Sequence, residues 1–314
     1  MRRPFRETPA GSIAVLQRIV KLTRLPLRLT PILCRGQRRI RMFKPVAAAM
    51  LIFAVSVPSA RADLEEFVRI CGGAKSSAHD IVHFCRKAIE TKRLNRKARA
   101  QVYANMAIGY FELQQYLGAV DAADKALSAD PQLAVAYLYR ARANDRLDKV
   151  AEAAEDYEKA LILAPNSADI YLARGIMMLR RGQPYPAVTD LSKALIIQPD
   201  SGTARYNRGI AYLEIGQPSR AEEDFSRMIK DNPNDAEAHL YRGQARAKLN
   251  DPNAAKDFDR AIELKQEWGL AWFVRGRYRD GIGQKEAANG DFLRANELGH
   301  NDPWLIERVR QLGG

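Results

Sequence analysis

The sequence predicts an all-α fold: a superhelical solenoid of repeated helix pairs, with a helical cap at each end. Three observations predict it. Pro131, Pro165, Pro199 and Pro233 stand 34 residues apart, and a fixed period of that size marks a repeat array. Between the prolines, apolar residues recur at three- and four-residue steps, the helical period. Turn residues such as Gly182-Gln183-Pro184, Gly216-Gln217-Pro218 and Asn250-Asp251-Pro252 split each unit into two helices.

The first 62 residues read differently from the rest. Residues 1–41 carry eleven Lys and Arg against one acid, Glu7, with no sustained helical face. Met42-Phe43-Lys44 then precedes an apolar run from Pro45 that ends in Pro58-Ser59-Ala60-Arg61-Ala62. A short positive start, a short apolar stretch and an Ala-x-Ala end are the parts of a secretory signal peptide. The run is too short to span a bilayer comfortably, since a spanning helix needs about 20 apolar residues. Residues 42–62 are therefore expected to be a signal removed after Ala62. Met42 is itself a plausible initiator, and both starts stay open. Arg38-Arg39 suits a twin-arginine signal, but Arg41 stands where that pattern wants an apolar residue. No lipid anchor is expected at Cys34 or Cys71.

Removing the leader changes the charge argument. The chain has 50 basic and 37 acidic residues, of which residues 1–62 hold 13 and one, leaving 37 against 36. Nucleic acid and an anionic membrane thereby both lose support as partners, and no stable membrane insertion is expected after cleavage. Cys71 and Cys85 remain as an even pair, fit for a disulfide in an exported protein. Helices over Leu64–Ile70 and Ile81–Ile89, joined by Gly72-Gly73 and Ser76-Ser77, would let them meet and make residues 63–99 a disulfide-linked cap. His79 and His83, four apart near both cysteines, raise a metal site. Without recognised ligand spacing the disulfide is the better reading, and no metal or cofactor is expected.

Six units follow, over 100–133, 134–167, 168–201, 202–235, 236–268 and 269–301, and residues 302–314 form a capping helix begun by Asp302-Pro303. Tyr103, Tyr137, Tyr171 and Trp272 open units, with Tyr206 one step later and His239 in the fifth. Small residues follow at Ala107, Ala141, Gly175, Gly209, Gly243 and Gly276, and again in each second helix from Ala119 to Ala288. Small residues permit close helix approach, aromatics fill the space between layers, and the proline cannot continue its helix. The fifth unit is one residue short, and the sixth has His300 where proline would fall. This pattern resembles the tetratricopeptide repeat family over about residues 100–300. The resemblance implies a right-handed superhelix and a role in holding partners rather than in catalysis. With its cap and signal, the chain also resembles exported repeat proteins of alphaproteobacteria, which brings no activity with it.

Five units carry arginine in the first helix and aspartate in the second: Arg140 with Asp156, Arg174 with Asp190, Arg208 with Asp224, Arg242 with Asp257 and Arg275 with Asp291. The first unit has Met106 and Ala122 instead, so both charges are present or absent together. That covariation within one chain reads as a structural ion pair, since guanidinium matches carboxylate two-pronged.

The resemblance also implies where a partner would lie, on the concave face of the first helices. By position that face is Ala104, Ile108 and Phe111; Leu138, Arg142 and Asp145; Leu172, Ile176 and Leu179; Tyr206, Ile210 and Leu213; Leu240, Gln244 and Ala247; and Phe273, Arg277 and Asp280. Its uncharged middle is expected to be an apolar groove for a protein or peptide ligand. Packing of the same side chains against neighbouring layers is the competing account. The Lys/Asn/Arg set with which related cochaperones clamp a terminal carboxylate is missing, since Ala104, Ile108 and Asn207 do not supply it. No phosphate loop, nucleophile elbow or convincing metal cluster points to an enzyme. Two functions follow: a non-catalytic periplasmic scaffold or adaptor, or a structural homo-oligomer whose apolar face is closed by a second copy.

Overall fold

The computed structural model describes residues 60–313 apart from residue 74, so the basic leader and the apolar run lie outside the described residues. Fifteen helices follow in order among the described residues. They are α1 Ala60–Cys71, α2 Ala78–Glu90, α3 Arg96–Glu112, α4 Tyr116–Ala129, α5 Ala134–Arg146, α6 Val150–Leu163, α7 Ala168–Arg180, α8 Pro184–Ile197, α9 Gly202–Glu214, α10 Pro218–Asp231, α11 Ala236–Lys248, α12 Ala254–Leu264, α13 Gly269–Gly281, α14 Lys285–Glu297 and α15 Pro303–Gly313. The fold is an α-solenoid that divides after Asp130 into two compact units, and within each unit consecutive helices pack on one another.

In the first unit, α1 and α2 form a cap on the α3–α4 pair. Ser77 starts α2 with a capping box, its hydroxyl accepting from the Asp80 amide while the Asp80 carboxylate accepts from the Ser77 amide. Cys71 and Cys85 are fully buried and lie at disulfide distance, 2.10 Å between sulfurs. Around them pack Ile81, Ala88, Leu94 and Val102, with Phe67, Phe84 and Met106 on the margin. A side chain at Gly109 would collide with Val82 and Ile81, so α3 meets the cap at glycine range. Met106 thus spends its place in α3 on the apolar cap.

In the second unit each first helix (α5, α7, α9, α11, α13) packs on its own second helix, which packs on the next first helix. The small residues set that spacing. A Cβ added at Gly209 would lie 2.6 Å from the Phe225 ring. Each inter-helix turn turns on one left-handed residue: Gly182 (φ 69°), Gly216 (φ 71°) and Gly283 (φ 82°), but Asp148 (φ 64°) and Asn250 (φ 57°) in two units. Pro184 and Pro218 then start the second helices at their first turn, where no amide partner is lost. At the end, Asp302 accepts from the amides of Trp304 and Leu305 and starts α15. Leu305 of that helix closes the core of Phe273, Phe292 and Ala295.

Two outcomes follow from this packing. Reduction of the Cys71–Cys85 bridge, which spans 14 residues, is expected to cost about 3 kcal/mol of cap stability. Hydrogen exchange should then rise in α1 and α2 ahead of α9–α12, and equal loosening everywhere would contradict an independent cap. Gly209→Ala should cost about 1–3 kcal/mol through overpacking against Phe225, read as a lower urea midpoint. An unchanged midpoint would show that the ring gives way.

Candidate functional site

Most of the expected apolar face is already used inside the fold. Phe111, Leu138, Ile176, Leu179, Tyr206, Ile210, Leu213, Leu240 and Phe273 are buried, and Tyr206 and Leu240 are wholly so. The middle repeats therefore do not present an open apolar groove, and the packing account is the right one for these nine. The physical reason is layer stacking. Tyr206 sits edge-on between Phe225 of its own second helix and Tyr241 of the next first helix, at 6.2 and 5.5 Å between ring centroids. Ile210 and Leu213 join that cluster. Leu240 packs on Phe258 and Ala271, and Leu179 on Leu191 and Ala211. Each such side chain stabilises the stack by about 1.5–3 kcal/mol on burial, and none is left for a partner.

What stays accessible on the first helices is mostly polar. Leu172, Arg142 and Gln244 are half-buried, and Arg277 is exposed. The Arg142 guanidinium lies 5.0 Å from the Tyr139 ring centroid and Arg277 lies 4.5 Å from that of Trp304, so aromatic faces hold both cations. Asp169, half-buried and within reach of Arg142, has its carboxyl pushed above the usual range by burial, while the charge of Arg142 opposes the shift. Asp145, expected on this face, is buried and taken by Arg180 and Arg181 of the following repeat.

The Arg–Asp column has two-pronged geometry in every unit that carries it. Nε and one terminal nitrogen of Arg140, Arg174, Arg208, Arg242 and Arg275 bond the two oxygens of Asp156, Asp190, Asp224, Asp257 and Asp291 at 2.6–3.0 Å. The aspartates are buried. Hydrogen bonding to Asp190 and Asp224 raises the Arg174 and Arg208 values further above their already high range, against burial.

The remaining nitrogen reaches the preceding repeat, a link that pair spacing alone did not reveal. Arg208 donates to Ser192 at 3.3 Å, Arg242 to Ser226 at 3.5 Å, and Arg275 to Asp259 at 2.7 Å. A second signal was missed one turn on: Arg246 and Arg279 also bond Asp257 and Asp291, at 2.8 and 3.0 Å. In the fifth unit, His239 joins Asp257 through Nδ1 at 3.3 Å and meets the Pro233 carbonyl through Nε2 at 3.0 Å. Burial opposes ionisation of Asp257, yet the His239 and Arg242 hydrogen bonds and the charges of Arg242 and Arg246 hold its carboxyl below the usual range.

These carboxylates are occupied by guanidinium groups, so none is poised as a base. Among the described residues no three His, Cys, Asp or Glu side chains converge as a metal site would. No described helix is long and apolar enough to cross a membrane.

Comparison with known proteins agrees with this architecture. A family model described as tetratricopeptide repeat matches residues 105–168 and 206–268. No curated protein matches the sequence. Among solved structures, PilF of Pseudomonas aeruginosa has a TM-score of 0.59 at 20% identity, over 69% of this chain and 99% of that one. PilW, a type IV pilus biogenesis factor, has a TM-score of 0.60 at 21% identity, over 67% and 98%. YrrB, described as having an unusual peptide-binding site, has a TM-score of 0.51 at 22% identity, over 61% and 99%. At these identities the likeness speaks for the fold alone.

The ion-pair geometry has a measurable consequence. Arg208→Ala leaves Asp224 buried, with Arg205 at 3.9 Å as its remaining cation among the described residues. It should cost about 2–3 kcal/mol, less than a fully buried pair because the guanidinium side chain is 21% exposed. Adding Asp224→Ala should recover part of the loss. Arg242→Ala should be milder, since Arg246 and His239 still face Asp257. A double mutant no more stable than Arg208→Ala would dismiss the pairing.

Proposed function

We propose that this chain, a tetratricopeptide-repeat protein, is a non-catalytic scaffold of the cell envelope that holds an extended peptide or partner protein along its first helices. Proteins of this family are in general protein-interaction scaffolds. The observation that carries the reading is how the second unit divides its residues. Its apolar side chains and arginine column are consumed by the stack, while a polar line from Arg142 and Asp169 past Leu172 to Gln244 and Arg277 stays accessible. A partner on that line would be read by charge and hydrogen bonds, with Leu172 as an apolar anchor. It would not be an amphipathic helix seeking a greasy groove. PilW is a pilus biogenesis factor and YrrB has a peptide-binding site, which makes an envelope peptide a reasonable class of ligand here.

Export rests on the leader. A positive start, a short apolar run and Ala60-Arg61-Ala62 support delivery to the periplasm with cleavage before Asp63. That cut would fall within α1 and leave Asp63 at its positive end. The homo-oligomer reading loses its motive, because the chain itself covers the apolar residues a second copy was needed to cover.

The test places a photocrosslinking residue at Gln244 and captures partners from an envelope extract, with sedimentation run alongside. Discrete crosslinked partners, lost in Arg142→Glu/Arg277→Glu with folding unchanged, are expected from a monomer. Crosslinks only to a second copy, with a tight dimer in sedimentation, would replace the scaffold by the oligomer. Charged residues at Tyr206 or Ile210 should unfold the array rather than merely block capture, because both sites are closed.

A further inference from the structure

The near-neutral balance of residues 63–314 conceals a strong local excess. Residues 86–99 hold Arg86, Lys87, Lys92, Arg93, Arg96, Lys97 and Arg99 against one acid, Glu90. The rest of residues 63–130 holds three basic residues and eight acidic ones, and residues 131–314 hold 27 of each. The seven cations are thus a concentration in one place, and the average hides them.

Their setting makes the excess physical. The seven lie on the last turn of α2, the connecting turn and the first turns of α3, and all are exposed. Among the described residues none is in an ion pair. Three of the side chains bond neutral oxygens: Arg86 donates to the Tyr110 hydroxyl at 3.2 Å, Arg96 to the Ala129 carbonyl at 2.8 Å, and Arg99 to the Leu94 carbonyl at 3.3 Å. Their positive charges remain uncompensated. Elsewhere the chain spends its arginines on carboxylates, as the five repeat pairs show.

The placement also runs against local stability. The first turn of α3 has no acidic residue and carries Arg96, Lys97 and Arg99, whereas the positive end of a helix dipole favours anions. Arg96 recovers something by donating to the Ala129 carbonyl at the end of α4. Lys97 has no such return, and Lys92 and Arg93 sit beside it on the turn. The members on α3 oppose that helix's dipole and none of the seven meets a carboxylate among the described residues, so the cluster calls for an anionic partner.

We infer that this end of the cap is a peripheral contact for the anionic phospholipid headgroups of a membrane surface. The inference is independent of what lies on the first helices. Three chemistries compete for such a patch. Single-stranded nucleic acid is gripped by aromatic stacking beside the cations; residues 86–99 contain no aromatic, and the Tyr110 ring that meets Arg86 packs against Gly118. An acidic peptide needs a groove to hold its backbone in register, while these residues occupy a helix end, a turn and a helix start. A plane of headgroup phosphates needs neither stacking nor register. Seven exposed Lys and Arg in one short stretch fall within the polybasic clusters that anionic lipid attracts.

The test uses the protein as it accumulates in the cell, its N-terminus read by mass spectrometry. Cosedimentation is measured with phosphatidylglycerol–phosphatidylcholine vesicles and with pure phosphatidylcholine vesicles at low ionic strength. Binding is expected only to the anionic vesicles and should fall steeply with salt. Lys92→Gln/Arg93→Gln/Lys97→Gln removes three cations whose side chains support nothing in the fold, and should weaken binding about a hundredfold. Arg69→Gln/Lys75→Gln/Lys125→Gln, the other Lys and Arg of residues 63–130, should leave it unchanged. Circular dichroism confirms folding of each variant. Equal binding to neutral vesicles, equal binding by the first variant, or no binding at low salt would overturn the inference. So would patch-dependent binding of polyglutamate or DNA with none to vesicles.

Discussion

The array depends on one interaction made five times: a guanidinium that grips a buried carboxylate with two nitrogens. In the last three repeats that carry it, a third nitrogen also bonds the layer before. Two prongs fix the angle between the helices of a repeat, because a planar fork tolerates little rotation against a carboxylate. The third prong ties neighbouring repeats together. A helix pair alone cannot bury both faces, so the layers must register with one another before Tyr206, Phe225 and Tyr241 can close into one aromatic cluster. Glycine at 209, 243 and 276 keeps the helices near enough for the same arginine to span them.

The cost of such pairing explains its surroundings. A buried carboxylate is stable only while its cation stays in place, and two repeats add a second arginine, Arg246 or Arg279, one turn along. The fifth repeat goes further and places His239 where four other units have Tyr103, Tyr137, Tyr171 and Trp272. That repeat is one residue short between arginine and aspartate. Its carboxylate is bonded by Arg242 and Arg246 and also lies beside the His239 ring.

The helices, the repeat marks and the pairing of charges were legible from spacing, because each follows from one residue's relation to others on the same or the partner helix. Whether a helix face stays open was not. Tyr206, Ile210 and Leu240 stand on the face that positional analogy selects, yet the next layer's Tyr241 and Ala271 lie against them. Burial by a neighbouring layer depends on inter-layer distance, which no single unit encodes. The cations of residues 86–99 were in plain sight, but a net charge taken over more than two hundred residues averages a patch away. The cross-layer bonds of Arg208, Arg242 and Arg275 left a faint mark, the polar Ser192, Ser226 and Asp259 sixteen residues earlier in each case.

Met106 gives the array a direction. From the fourth repeat onward the arginine reaches back to a polar group on the layer before it, so these units present compatible surfaces to one another. Met106 reaches back to the apolar cap instead. A duplicated inner unit could therefore be spliced among its fellows and find its bonds, whereas a duplicated first unit would set a thioether against a hydroxyl or a carboxylate. Lineages of this protein should lengthen or shorten from the interior, with the opening module passed on intact together with its cap.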